Sequence, residues 1–280
     1  MTIHFPVEEA VKKRYSVRNY KKQEVELDIK NKIDTFIQSL DNPFQKEVNF
    51  HFLETKDADD QQKLGTYGVI IGAKQYIGTT IKQEEMALEA LGYELEVLIL
   101  YLAHLGIGTC WLGGTFNRKA FANAMNIRDE ELFPIMTPYG YPAAKKHVKE
   151  AIMRKMVQAD HRKDWAEIFF QNDFQTSLLK EAAGDLSFLL EMVRLAPSAS
   201  NKQPWRILLK DNICHFYEYK EPNYSDRFTY DIQRVDIGIA AAHFDLAANE
   251  KGIKGSFALG MQPDLLLPAN IEYVFSWIRD

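Results

Sequence analysis

The sequence predicts an α+β chain in which one structural unit occurs twice. A single polypeptide would then form a pseudo-dimer of two mixed or antiparallel sheets flanked by helices. Three observations carry this expectation. Two helix-like stretches match in the placement of their glycines, the strand-like segments around them follow in the same order, and two loops rich in hydrogen-bonding groups occur once each, in opposite halves.

The helices are GYELEVLILYLAHLGIGTCW, starting at Gly92, and GIAAAHFDLAANEKGIKGSF, starting at Gly238. Leu95, Leu98, Leu102 and Leu105 in the first, and Ile239, Phe244 and Ala248 in the second, recur at helical spacing. A Gly-Ile pair follows fourteen residues after each first glycine, at Gly106 and Gly252, which suits a left-handed residue closing a helix. Each stretch ends on an aromatic residue, Trp111 or Phe257, and leads into a short strand, GTCWLGG or GSFALG. LFPIMTPYGYP and NIEYVFSWIRD then read as buried strands. EVNFHFLET and RILLKDNICHFYEYK, upstream, are strand-like, and each follows a helical segment, LDIKNKIDTFIQSL or LSFLLEMVRLA. One glycine-bounded helix matching another is an ordinary coincidence, but the matched order of elements favours duplication. The halves are expected at 1–170 and 171–280.

Composition narrows the function classes. With 280 residues, 46% hydrophobic and 26% charged, the chain has enough apolar residues for a sizeable core. A net charge of -5 argues against nonspecific nucleic-acid or membrane binding. Cys110 and Cys214 are the only cysteines and sit in no metal-ligand spacing, so neither a disulfide framework nor a metal site is expected. The first residues lack the apolar core of a secretory leader. The longest apolar stretch, EVLILYLAHLGIG, is too short and interrupted to span a bilayer, and a cytoplasmic location is expected. GIGTCWLGG lacks the third glycine of a dinucleotide fingerprint, which excludes a Rossmann reading. No Ser/His/Asp triad is evident, and the seven histidines are scattered.

Two motifs carry the chemistry. In RYSVRNY, after the short helix VEEAVKK, Arg14, Ser16 and Arg18 alternate. In an extended segment they share one face, and two guanidiniums with a hydroxyl make an anion clamp. APSASNKQPW, from Ala196 to Trp205, supplies small residues for close backbone approach and Ser and Asn side chains for turn or ligand bonds. The second half has no RYSVR and the first has no PSASN. This complementarity predicts one site between the halves, with Arg14 and Asn201 facing the same ligand.

RYSVR, GIGTCWLGG, YGYP and APSASNKQPW, in this order, resemble the FMN-dependent nitroreductase family, over nearly the whole chain. The resemblance implies a nitroreductase-like fold, here two family-like halves fused in one polypeptide, a monomer or weak homodimer with a small-molecule substrate as its expected partner. It implies an FMN-binding set of Arg14, Tyr15, Ser16 and Arg18; Leu112, Gly113 and Gly114; Arg162 and Lys163; and Pro197, Ser198, Ala199 and Asn201. Arg14 and Ser16 would serve the phosphate and ribityl end, and Arg18 the N1–O2 edge of the ring. Arg162 and Lys163, in HRKDWAE, stand where the family carries a basic pair, with Asp164 in place of an expected proline. Gln203 is expected to tie the loop, Trp205 and Trp111 to fill core, and Cys110 to be a buried inert thiol. Tyr224, Arg227 and Tyr230 would shape substrate access. Lys145, Lys146, Lys149, Arg154 and Lys155 read as a solvated helix face. No residue is assigned a catalytic role, because FMN carries the redox chemistry. NAD(P)H would reduce the flavin, which would then reduce a nitroaromatic, quinone or similar acceptor in ping-pong fashion. The alternative is a flavin-binding protein of this fold with little turnover or a specialised flavin chemistry.

Overall fold

A computed structural model describes residues 5–55, 64–144, 155 and 158–280. Lys145, Lys146, Lys149 and Arg154 lie outside the described residues, and Lys155 is exposed. Helix α1 (Val7–Lys13) buries Val7, Ala10 and Val11, and α2 (Leu27–Gln38) buries Ile33. Strand β1 (Val48–Glu54) pairs antiparallel with β2 (Gln75–Ile81). The long helix α3 (Ala87–His104) follows, then β3 (Gly108–Thr109), α4 (Arg118–Ala124) and β4 (Leu132–Gly140). The Asn117 side chain accepts the Ala120 N–H and so starts α4.

The remaining elements are α5 (Trp165–Ile168), β5 (Phe169–Gln171), β6 (Asp173–Ser177), α6 (Lys180–Ala183) and α7 (Leu186–Leu195). After them come β7 (Trp205–Lys210), β8 (Ile213–Tyr219), α8 (Gln233–Lys251), β9 (Gly255–Ala258) and β10 (Ile271–Arg279). RILLKDNICHFYEYK, which reads as one strand-like run, is the hairpin β7–β8. Its turn residues Asp211 and Asn212 both have positive φ, 52° and 61°, as a two-residue hairpin turn requires.

The described strands form two sheets, β1-β2-β4-β3 and β6-β5-β7-β8-β10-β9. Four strands of the second, β7-β8-β10-β9, repeat the order of the first. Strands β5 and β6 are additional: β5 joins the edge parallel to β7. The boundary expected at residue 170 falls inside β5. Gly106 and Gly252, read as helix-ending residues, have φ of 79° and 67°.

Helices α3 and α8 pack against each other at the centre, and both are buried on nearly every face. A helix apolar all round belongs in such a place. The glycines that open the two matched stretches mark the crossing. A Cβ on Gly92 would collide with the Val235 carbonyl oxygen, and one on Gly238 with that of Glu89. The two collisions are reciprocal, each glycine meeting the residue three positions before the other. Polar groups on the two helices pair across the contact. His243 Nε2 lies 2.9 Å from Glu96 Oε1, and Tyr93 donates its hydroxyl to Asp245 Oδ2 at 2.6 Å.

Candidate functional site

The segment after α1 runs extended along the open edge of β3. Val17 N–H donates to Thr109 O at 2.8 Å, and Ser16 bridges Thr109 in parallel. Alternation then sorts the side chains. Val17 is buried at 3% exposure, and Arg14, Ser16 and Arg18 turn to the opposite side. There they line a cavity of about 230 Å³ with Trp111–Thr115, residues 197–201, the first turns of α8, and Tyr224, Arg227 and Phe228. Arg14 and Asn201, 187 residues apart in sequence, thus share one cavity.

Cations dominate one side. Arg14 Nε lies 3.9 Å from Glu96 Oε1, both side chains being almost fully buried. Glu96 also accepts the Trp111 Nε1–H at 2.8 Å, which fixes a wall residue. Arg18 Nε and Nη1 are buried and have no hydrogen-bond partner among the described residues. Guanidinium nitrogens buried in that state are costly unless an acceptor comes to them.

The 197–201 wall is held in a strained form. Ser200, Asn201 and Gln203 all have positive φ, 49°, 56° and 50°, a region that non-glycine residues seldom occupy. The surroundings over-determine it. Asp236 Oδ1 accepts the Ala199 N–H at 3.0 Å, Ser198 Oγ accepts the Gln203 N–H at 2.8 Å, and Tyr224 donates its hydroxyl to Ser200 Oγ at 2.9 Å. Asn201 Nδ2 donates to the carbonyls of Gln158 and His161 at 2.7 and 2.9 Å, and Asn201 Oδ1 accepts from Arg162 Nη1 at 3.3 Å. The Asn201 side chain therefore ties the loop to the segment that carries Arg162. Gln203 ties it further, accepting the Lys163 N–H at 2.8 Å, and Trp205 is fully buried beneath.

A family model described as "Putative TM nitroreductase" matches residues 6–248. The chain belongs to the nitroreductase family. A protein from Thermotoga maritima described as a "putative nitroreductase" shares its fold along almost the whole length, at 19% identity and a TM-score of 0.62, covering 99% of this chain and 95% of that one. A nitroreductase with bound FMN from Bacteroides fragilis matches 51% of this chain and 92% of its own, at 19% identity and a TM-score of 0.43. Another with bound FMN, from Desulfitobacterium hafniense, matches 52% and 95% at 16% identity and a TM-score of 0.42. No curated protein matches the chain.

Eleven residues of the set that the nitroreductase resemblance implies line the cavity: Arg14, Ser16, Arg18, Leu112, Gly113, Gly114, Arg162, Pro197, Ser198, Ala199 and Asn201. Two do not. Tyr15, 39% exposed, falls on the other face of this extended segment, in a shallow depression with Lys13, Gly106 and Pro142. Lys163, unlike its neighbour Arg162, does not line the cavity. Its half-buried side chain has a lowered pKa, from burial first and then from Arg206. Asp164, where a proline was expected, is the N-cap of α5, and Glu167 Oε2 accepts its N–H at 2.8 Å.

Trp111, read as core, is a wall of the cavity. Tyr224 and Arg227 line it as well, whereas Tyr230 instead accepts from Arg118 Nη2 at 3.2 Å. Arg118 also holds the carbonyl of Gly113 at 2.6 Å. The residue that sequence reasoning missed is Asp236. It is 3% exposed on α8 and lines the cavity, burial pushes its carboxyl up to about 8, and Oδ2 has no partner among the described residues. One acid inside VDIGIAAAHF was the available signal, since a carboxyl is seldom buried without a task. Cys214 is fully buried and its thiol is pushed up to about 12, while Cys110 is 2% exposed. Among the described residues no cluster of His, Cys, Asp or Glu is suited to a metal ion, and no helix is long and apolar enough to cross a membrane.

Proposed function

We propose that the cavity binds FMN and that the protein is an NAD(P)H-dependent oxidoreductase acting on a nitroaromatic, quinone or similar electron-poor acceptor. The observation that carries this reading is the half-buried Arg18 side chain, two of whose guanidinium nitrogens are buried and lack a partner among the described residues, in a cavity framed by both family motifs. A flavin's N1–O2 edge is an acceptor of the kind those nitrogens require. Arg14 and Ser16 hold the phosphate and ribityl end, with Arg162 close to the loop. Pro197, Ser198, Ala199 and Asn201 form the facing wall, and Leu112, Gly113 and Gly114 bring main chain close to the ring. Bound FMN would supply two-electron transfer between donor and acceptor. The cation at Arg18 favours negative charge on the reduced ring.

The same reading includes an internal duplication. It is supported by the repeated strand order, the reciprocal glycine contacts of α3 and α8, and the presence of each motif in one half only. One chain is then a pseudo-dimer with one FMN, independent of a second chain. The visible spectrum of purified protein and an anaerobic NAD(P)H titration test the proposal. A yellow protein whose flavin bleaches with NADH or NADPH and recovers its colour on adding a nitro or quinone acceptor is expected. Flavin that no nicotinamide reduces would sink the oxidoreductase reading, and two equivalent flavins per chain would sink the fusion.

A further inference from the structure

Arg14, Arg18 and Arg162 are packed against the inner walls, but a fourth arginine stands apart at the mouth. Arg227 is exposed, on the loop that joins β8 to α8. Its Nη2 would lie 3.5 Å from a Cβ on Gly114, so the guanidinium reaches over the glycine pair of the cavity wall. Its Cζ lies 5.1 Å from the Phe228 ring centroid and 5.8 Å from that of Tyr224. These rings are its only neighbours of interaction among the described residues: no carboxylate or carbonyl takes its protons. Asp231 is engaged with Ser225 Oγ at 2.6 Å, and Asp236 Oδ1 accepts the Ala199 N–H at 3.0 Å, while Asp226, next to Arg227 in the chain, lines the outer depression beside it without forming an ion pair to it. The loop is not free to swing away without cost, because Tyr224 is bonded to Ser200 of the opposite wall. Outside Arg227 an open depression, lined with Ser200, Asn223, Tyr224 and Asp226, continues the cavity outward.

A guanidinium held by aromatic faces keeps all its donors for a ligand, and its planar fork matches a carboxylate. The rings beside it present apolar surface to a flat molecule. We propose that Arg227 is a specificity-determining residue that selects an aromatic substrate bearing an anionic group, the carboxylate bonding the guanidinium at the mouth and the ring lying inward against Tyr224 and Phe228. This rests on the reading of the cavity as a redox site for small aromatic acceptors, and it adds the charge of the preferred one.

Calorimetric titration of the purified protein, loaded with FMN, with benzoate and with its neutral isostere benzamide tests the assignment. Benzoate is expected to bind about tenfold more tightly, the scale of one charge-assisted hydrogen-bond pair. Arg227→Gln should remove that preference by weakening benzoate alone, and Arg227→Lys should keep part of it. Equal binding of the two ligands by the wild-type protein, or an undiminished preference in Arg227→Gln, overturns the proposal. Adenosine diphosphate is titrated alongside, and a loss in Arg227→Gln confined to it, which would assign the arginine to a dinucleotide pyrophosphate, also overturns the proposal. If the protein takes up no FMN, the flavin reading fails by that result. The same titration of the flavin-free protein then decides the role of Arg227 independently.

Discussion

The loop after α7 lines a cavity, whereas the loop after α2, which holds the corresponding place in the proposed first half, is occupied by an aromatic side chain. Between α7 and β7 the chain offers Pro, Ala, Ser and Asn, and the space beside Trp111 and Ile239 stays open. Between α2 and β1 it offers Phe44, 8% exposed, whose ring lies 6.5 Å from Tyr93, 6.0 Å from Phe257 and 5.2 Å from Phe275. Phe257 stands nineteen residues after Gly238, as Trp111 stands after Gly92. The leading segments differ in the same way. Residues 14–18 lie along β3 and present arginines, whereas residues 169–177 fold into the β5–β6 hairpin at the far sheet edge. One frame thus has an open end and a filled end. The difference lies in side-chain size at one loop and charge on one strand, not in the order of the elements.

The largest test of that contrast is Phe44→Ala. A buried phenyl exchanged for methyl costs about 3 kcal/mol or more. Urea unfolding should show that loss while FMN uptake, on the proposed function, stays as in the wild-type protein. A change under about 1 kcal/mol would mean that Phe44 does not fill this end. Next come Gly92→Ala and Gly238→Ala. Each added methyl meets a carbonyl oxygen of the facing helix, and each should cost about 2 kcal/mol, by overpacking. The two losses should be similar. A silent change at one glycine beside a severe one at the other would break the equivalence of the helices.

Arg18→Ala separates stability from binding. Its two unpartnered nitrogens make it a burden on the flavin-free protein, so unfolding free energy should hold or rise. FMN affinity should fall by about 2 kcal/mol, or roughly thirtyfold, as bonds to a charged donor are lost. Fluorescence titration of FMN with the wild-type protein, Arg18→Ala and Arg18→Lys measures this, with the lysine variant between the other two. Equal affinities would remove Arg18 from the site.

Much of this arrangement is legible in the sequence. Glycine spacing located α3, α8 and their closing residues, and alternation alone put Arg14, Ser16 and Arg18 on one face. The same rule puts Tyr15 on the other face, so only the family pattern, and not the local geometry, points to Tyr15. Strand β2 and the β5–β6 hairpin gave weaker signals. β2 is buried on both faces and so does not alternate, and β5 has three residues. Asp236 was hidden because its role is made by tertiary contact: its partner, the Ala199 N–H, is 37 residues away.

Acids offer the finest comparison of the two ends. At the filled end Glu94, 5% exposed, accepts from Asn42 Nδ2 at 2.5 Å, and burial raises its carboxyl to about 7, with Asn42 opposing and Asp41 adding to the rise. At the open end burial raises Asp236 to about 8. For both, the folded state holds its proton at pH values where the unfolded chain has released it. Each therefore destabilises the fold progressively as pH rises from the ordinary carboxyl range to the raised value. Glu94→Gln should stabilise the protein relative to wild type by an amount that grows between about pH 5 and 7 and then levels, on the order of 1–2 kcal/mol. Asp236→Asn should show the same sign, with the growth continuing to about pH 8. Unfolding free energies of the three proteins, measured from pH 5 to 9, provide the check. A difference that shrinks as pH rises would mean that these carboxyls are ionised in the fold, with acceptable partners at both ends.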